Sequence, residues 1–113
     1  MTAQTIFEQL GGHQFRVMTG ANTFVGINDV AGQETGLMFR IPGRGFARDG
    51  INKIKIALNG MDFYDVTYWR IRGTSIKQIS ESLGLYADML RADFEEKTGL
   101  RVSLGTMGRT VTA

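Results

Sequence analysis

Lysines, arginines and tyrosines recur with a spacing of two in the middle of the sequence. In segment 51–58, Lys53 and Lys55 alternate with isoleucines, so they project from the face opposite to the apolar one. The same alternation assigns further residues from neighbouring segments to this face, namely Arg40, Tyr64, Tyr68, Arg70 and Arg72. Cations neutralise phosphates and aromatic rings stack on exposed bases, so the combination predicts binding of single-stranded nucleic acid. The alternative is a sheet whose lysines and arginines only keep it soluble.

A glycine-rich loop with two more arginines precedes this segment. Residues 43–50, GRGFARDG, contain Arg44 and Arg48 among glycines whose backbone N–H groups can form a concave anion site. The loop lacks the lysine and Ser/Thr of a P-loop, and it precedes a strand rather than a helix. Two interpretations stay open: an anion-binding loop that adds Arg44 and Arg48 to the nucleic-acid site, or a plain flexible hairpin loop.

Groups that perform catalysis or bind metals are scattered along the chain. There is no cysteine and His13 is the single histidine, which excludes a thiol nucleophile and a cysteine-ligated metal. Asp62 and Asp65 are close in sequence, but Asp after a tight turn is common for structural reasons. No segment combines a nucleophile, a base and an orienting group. The sequence therefore predicts a protein that is not an enzyme and uses no cofactor or metal.

Short apolar runs separated by glycines indicate the elements that must position these side chains. Fifteen glycines and one proline punctuate the 113 residues, which is typical of an antiparallel sheet. The predicted elements are a short helix (2–10), strands (14–20, 36–42, 51–58 and 62–72) and a long amphipathic helix (85–99). Residues 23–28 continue the first strand or form their own, and 74–84 is a strand or a helix. Asn59-Gly60 predicts a tight hairpin turn.

Alternation along the strands divides their side chains between a core face and a solvent face. The predicted core face carries Phe15, Val17, Leu37, Phe39, Ile41, Ile54, Ile56, Leu58, Phe63, Trp69 and Ile71. The helix over 85–99 is expected to cover it. Segment 62–72 contains one inconsistency, because Asp65 and Thr67 fall on the core side. A bulge or a position at the sheet edge would relieve it.

The expected fold class is α+β: an antiparallel sheet of four or five strands, one long C-terminal helix packed on one face, and a short N-terminal helix. Residues 1–104 are predicted to form a single domain and 105–113 a frayed tail. Residues 36–77 hold eight Lys and Arg against three Asp and Glu, whereas residues 78–98 hold two against five. A basic sheet backed by an acidic helix suits a nucleic-acid ligand.

Four motifs carry a resemblance to known proteins, namely EQLGG (8–12), MDFYDV (61–66), RIRG (70–73) and KTGLRVSL (97–104). Over roughly residues 6–104 the chain resembles a group of small proteins of unassigned activity encoded by tailed bacteriophages and prophages. The resemblance implies a phage or prophage origin and work in the bacterial cytoplasm. In architecture alone, the order of strands followed by one helix is similar to the single-stranded-DNA-binding modules of the PC4 and Whirly types.

The partner expected from these observations is single-stranded nucleic acid, bound by a small non-enzymatic phage protein. The alternatives are a protein-binding accessory factor that uses the same face or a sheet edge to capture a host or phage protein, and a minor virion component. A homodimer is a further expectation, because one helix leaves part of the apolar face to be covered. No apolar run approaches about 18 residues and no signal peptide is recognised, which predicts a cytoplasmic protein without membrane contact.

Overall fold

A computed structural model describes residues 2–42 and 47–101 of the chain. These residues form a five-stranded antiparallel sheet and three α-helices, so the predicted α+β class is confirmed. The helices are α1 (Thr2–Leu10), α2 (Gly12–Thr19) and α3 (Leu90–Thr98), and the strands are β1 (Asn22–Asn28), β2 (Glu34–Arg40), β3 (Lys53–Leu58), β4 (Tyr64–Arg72) and β5 (Ser75–Leu85).

Each strand pairs with the next one along the chain, which makes the sheet a meander with β1 and β5 at its edges. Strands β2, β3 and β4 pair without a register shift, whereas β1 and β5 each carry two shifts against their neighbours. In β3, Ile54 and Ile56 are buried and Lys55 is exposed, as alternation predicts. The regular centre of the sheet therefore matches the segments in which the sequence alternates most clearly.

Segment 14–20, predicted as a strand, instead lies in helix α2. Phe15 and Thr19 are four residues apart and both are buried, whereas Val17 is 66% exposed, which is helical periodicity. The helix ends at Gly20, whose φ of 76° is the left-handed conformation of a C-terminal cap. The strand prediction was wrong because so short a segment fits both periods. Residues 23–28 accordingly belong to a strand of their own, β1.

The β3–β4 hairpin is where the sequence predicts it, but its turn is longer. The backbone N–H of Asn59 donates to the carbonyl of Phe63 at 2.7 Å, and Asn59 Oδ1 accepts from the N–H groups of Met61 and Phe63 at 2.8 and 3.2 Å. The left-handed residue is Asp62, with a φ of 66°, rather than Gly60. The Asn59 side chain thus caps the loop from within, which a two-residue turn does not require.

Segment 74–84, left open between strand and helix, is the edge strand β5. The long helix predicted over 85–99 is shorter, because Leu85 pairs with Tyr64 at the end of β5 and α3 begins only at Leu90. A 3₁₀ turn over Ala87–Met89 connects the two elements. Gly99, with a φ of 77°, ends α3 as predicted. Strand pairing satisfies the backbone groups that a longer helix would have satisfied internally.

The core lies between the sheet and the three helices. Phe15 of α2, Phe39 of β2 and Phe94 of α3 meet there, with ring centroids 5.0 to 6.3 Å apart. The predicted core residues that are buried are Phe15, Leu37, Phe39, Ile41, Ile54 and Ile56. Ile6 and Leu10 of α1 are also fully buried, so three short helices provide the cover expected from one long helix.

The orientation of strand β4 is the inverse of the prediction: the side chains predicted to face solvent point into the core, and the other set points away from the helices. Tyr64 and Tyr68 are only 8% and 1% exposed, and they point into the core beside the isoleucines of β3. Asp65, Thr67 and Trp69 have the other parity and point away from the helices. No bulge interrupts the β3–β4 pairing, so the apparent inconsistency at Asp65 and Thr67 indicated an inverted strand. Burying an unpaired carboxylate costs more than leaving an indole partly exposed.

Candidate nucleic-acid interface on the open sheet face

The sheet face that points away from the helices, called the open face below, carries cations beside a tryptophan. Arg40 of β2, Lys53 of β3 and Trp69 of β4 are successive cross-strand neighbours on this face. Side chains directly opposite each other in antiparallel strands have Cβ atoms about 4.5–5.5 Å apart. Lys55 lies two residues beyond Lys53 and begins the next row. The structure therefore confirms the predicted facing of Arg40, Lys53 and Lys55, and it adds Trp69.

Trp69 is half-buried and borders a shallow groove on the open face. Its Nε1 donates to Thr67 Oγ1 at 3.0 Å, which orients the indole along β4. The groove has a volume of ≈ 180 Å³ and is lined by Met38, Lys53, Lys55, Trp69, Ile71 and Ile76. Within residues 2–42 and 47–101, no carboxylate forms an ion pair with Arg40, Lys53 or Lys55. The cations around the indole are thus free of direct ion pairs in this part of the chain, and Asp65 and Glu81 are carboxylates that share the open face with them.

Arg70 and Arg72, predicted on the same face as Lys53, lie on the helix side of the sheet. Arg70 Nη1 donates to the carbonyl of Asp49 at 3.3 Å, and a Cβ added to Gly50 would lie 2.9 Å from Arg72 Nη2. The two guanidinium groups therefore cover the 3₁₀ turn Arg48–Gly50. They belong to the same end of the sheet as Lys53, so this end is basic on both sides. The open face itself receives neither charge.

Tyr64 and Tyr68 are part of the core rather than of a stacking surface. Tyr68 Oη donates to Asp93 Oδ2 at 2.6 Å, and Ser82 Oγ donates to Asp93 Oδ1 at 2.7 Å. Burial raises the pKa of Tyr68, and the adjacent Asp93 carboxylate raises it further. Burial also raises the pKa of Tyr64. Tyr68 therefore anchors α3 to the sheet, a side-chain hydrogen bond joins Tyr64 to Gln9 of α1, and the predicted site loses both of its aromatic rings.

Arg48 of the predicted arginine loop lies away from the open face. Arg48 is exposed on the helix side, and a Cβ on Gly99 would lie 3.8 Å from its Nε, near the C-terminus of α3. It borders a second cavity of ≈ 230 Å³, whose lining also includes Asp49 and Glu96. Carboxylates in that lining offset the positive charge that an anion would need. Arg44 and the predicted tail 105–113 lie outside the described residues.

The open-face residue that the sequence analysis assigned to the core is Trp69. Asp65 and Thr67 have the same parity in β4, and assigning these polar residues to solvent would have placed the indole on the open face. Ile71 shares this face and was assigned to the core for the same reason, whereas Ile76 belongs to segment 74–84, whose facing the sequence analysis did not predict. The polar residues of β4 were thus the more reliable guide to its orientation.

Comparisons with protein-family models, with curated proteins and with solved structures find no match for this chain. In the part of the chain that the structure describes, none of the helices has the length and apolar character to cross a bilayer. The same residues contain no group of three His, Asp or Glu side chains positioned to hold a metal ion. The open face is therefore interpreted from its own geometry.

Proposed function

We propose that this protein binds single-stranded nucleic acid through the open face of its sheet, with Trp69 as the stacking platform. The observation that carries the proposal is the row formed by Arg40, Lys53 and Trp69 on adjacent strands, with Lys55 in the next row. An extended strand offers alternating phosphates and bases, and this surface offers cations next to an aromatic ring. Trp69 thus takes the base-stacking role that was predicted for Tyr64 and Tyr68.

This surface is suited to bind single-stranded nucleic acid of any base sequence. Stacking of one base on an aromatic side chain contributes about 1–3 kcal/mol, and every base has a face that can stack. Lys53 and Lys55 supply point charges on flexible stems, which follow a phosphate backbone in many conformations. A protein of phage origin in the bacterial cytoplasm, as the sequence resemblance implies, would meet such strands during replication and transcription.

Fluorescence titration of Trp69 tests the proposal directly, because it is the one tryptophan of the chain. A thymidine oligonucleotide added at low salt should quench the indole emission as a base stacks on it. In anisotropy measurements with a labelled oligonucleotide, Trp69→Ala should weaken binding roughly 5- to 150-fold, whereas Trp69→Phe should retain part of the affinity. Arg91→Ala, on the exposed side of α3, is the control that should bind normally.

A protein-binding role is the second candidate, because Met38, Ile71 and Ile76 make much of the groove apolar. An apolar contact with a protein partner would change little as salt rises, whereas phosphate contacts weaken steeply. If the oligonucleotide leaves the emission of Trp69 unchanged at low salt, the nucleic-acid proposal fails. The groove would then be assigned to a protein partner.

A further inference from the structure

The two edges of the sheet differ in how well they could accept another strand. Each edge strand carries two register shifts and one residue with positive φ, namely Thr23 at 55° in β1 and Gly84 at 70° in β5, but β1 has only seven residues. β5 is the longest strand of the described residues, with eleven, and most of its side chains are exposed. Edge strands with free backbone groups are templates for pairing with another chain.

The hydrogen bonds between β4 and β3 determine which residues of β5 direct their backbone groups outward. The N–H of Asn52 donates to the carbonyl of Trp69 at 2.9 Å, so the open-face residues of β4 direct their backbone groups toward β3. Core-face residues of β4 such as Tyr68 must then bond β5, because backbone direction alternates along a strand. Their partners in β5, namely Ser75, Lys77, Ser80 and Ser82, direct their groups inward. The alternate residues Ile76, Gln78, Glu81 and Leu83 direct theirs outward.

A bulge in β5 places the four residues with outward backbone groups symmetrically along the strand. Tyr68 pairs with Ser80 and Trp69 with Gln78, so Ile79 is an extra residue in β5. The outward residues therefore occur in two pairs, Ile76 with Gln78 and Glu81 with Leu83, at equal distances from the Ile79–Ser80 bond. All four side chains lie on the open face. A strand with this arrangement is its own antiparallel complement about that bond.

We propose that a second copy of this chain pairs with β5 in antiparallel orientation, with the two-fold axis at the Ile79–Ser80 bond. Ile76 then lies opposite the partner's Leu83, and Gln78 lies opposite the partner's Glu81. Ile76 and Leu83 are each 65% exposed in the single chain, so the pairing covers two apolar side chains per copy. The result is one ten-stranded sheet with C2 symmetry.

The two-fold axis is perpendicular to the sheet, so both open faces lie on the same side of the dimer. The two Trp69 groups and their cations would then share one continuous surface, which a single strand of nucleic acid could follow. This consequence rests on the proposed function, but the dimer itself does not. Oligomeric state is therefore measured without nucleic acid, and the failure of either proposal is seen separately.

Sedimentation equilibrium of charge variants at Gln78 tests the pairing. Gln78→Lys places a lysine opposite the partner's Glu81 twice per dimer, and Gln78→Glu places two carboxylates there instead. Opposite-charge cross-strand pairs should tighten the dimer about 2- to 30-fold, and like charges should weaken it by a similar factor. Gln78 is exposed, so we expect both variants to fold as the wild-type chain does. Equal dissociation constants for the two variants would overturn the register.

A second pair of variants tests the apolar contact at the ends of the interface. Ile76→Lys with Leu83→Glu creates opposite charges across the two-fold axis, whereas Ile76→Lys with Leu83→Lys creates like charges. The first double variant should dimerise and the second should sediment as a monomer, although each chain has lost the same two apolar residues. A wild-type chain that stays monomeric throughout the micromolar range overturns the proposal.

Discussion

At the scale of single residues, Asp93 is the group that joins α3 to the sheet. It accepts hydrogen bonds from Tyr68 of β4 and Ser82 of β5, and Lys97 Nζ lies 3.5 Å from its Oδ1. The Asp93 side chain is only 11% exposed, so these partners replace the water that a carboxylate needs. An acidic residue of the helix behind the basic sheet thus has a structural role.

Tyr68→Phe should lower the free energy of unfolding by about 1.5–3 kcal/mol, because it removes a hydrogen bond to a charged group. Urea denaturation followed by circular dichroism measures the change. Tyr86→Phe is the matched control, since the Tyr86 side chain is 61% exposed and should change stability by less than about 0.5 kcal/mol. Equal effects of the two substitutions would contradict the role of the Asp93 bond.

The same buried tyrosines predict how stability changes at high pH. The pKa values of Tyr68 and Tyr64 are raised in the folded protein, mainly by burial, whereas a tyrosine in the unfolded chain has a pKa of about 10. The unfolded state therefore releases these protons first, so the contribution of the two tyrosines to stability is constant below about pH 10 and falls above it. Urea denaturation between about pH 8 and pH 11 should show this decline, and Tyr68→Phe should reduce it.

At the scale of elements, the sheet is held to its helices by few but well-buried side chains. Ile56 of β3 is 2% exposed and lies beside Leu37 of β2 and Val66 of β4. Each helix has only eight or nine residues, which is marginal for a helix in isolation. The helices therefore depend on contact with the apolar face of the sheet.

Ile56→Ala should lower the free energy of unfolding by about 2–5 kcal/mol, because it opens a cavity at the centre of this face. Val17→Ala, at a 66% exposed site of α2, should cost less than about 0.5 kcal/mol in the same denaturation experiment. The comparison also tests α2, since a strand over 14–20 would place Val17 in the core beside Phe15. A large loss from Val17→Ala would restore the strand interpretation.

At the scale of the whole molecule, the meander topology brings positively charged side chains together at one end of the sheet. β2 ends, β3 begins and β4 ends at one end of the sheet, and this brings together Arg40, Lys53, Arg70 and Arg72 from distant parts of the chain. Only Arg40 and Lys53 of these reach the open face, where Lys55 joins them. The net charge of +2 for the whole chain does not reveal this concentration.

The three open-face cations predict the salt dependence of oligonucleotide binding. For single strands the logarithm of the binding constant falls by about 0.7 per neutralised phosphate, so the slope should be about −2. Lys53→Ala with Lys55→Ala should reduce it to about −0.7, whereas Trp69→Ala should weaken binding at every salt concentration without changing the slope. An unchanged slope in the double lysine variant would place the phosphates elsewhere.

The sequence by itself determined the α+β class, the facing of Ile54 and Ile56 in β3, the hairpin that follows β3 and the end of the last helix at Gly99, because alternation and glycine placement are local properties. It left 74–84 open, and it misjudged α2, since a short segment satisfies the strand and helix periods equally. The orientation of β4 was decided by tertiary structure. Both of its faces carry large apolar side chains, and only pairing with β3 determines which of them the helices cover. That choice buried Tyr64 and Tyr68 and brought Trp69 beside Lys53, because cross-strand neighbours come from residues far apart in the chain.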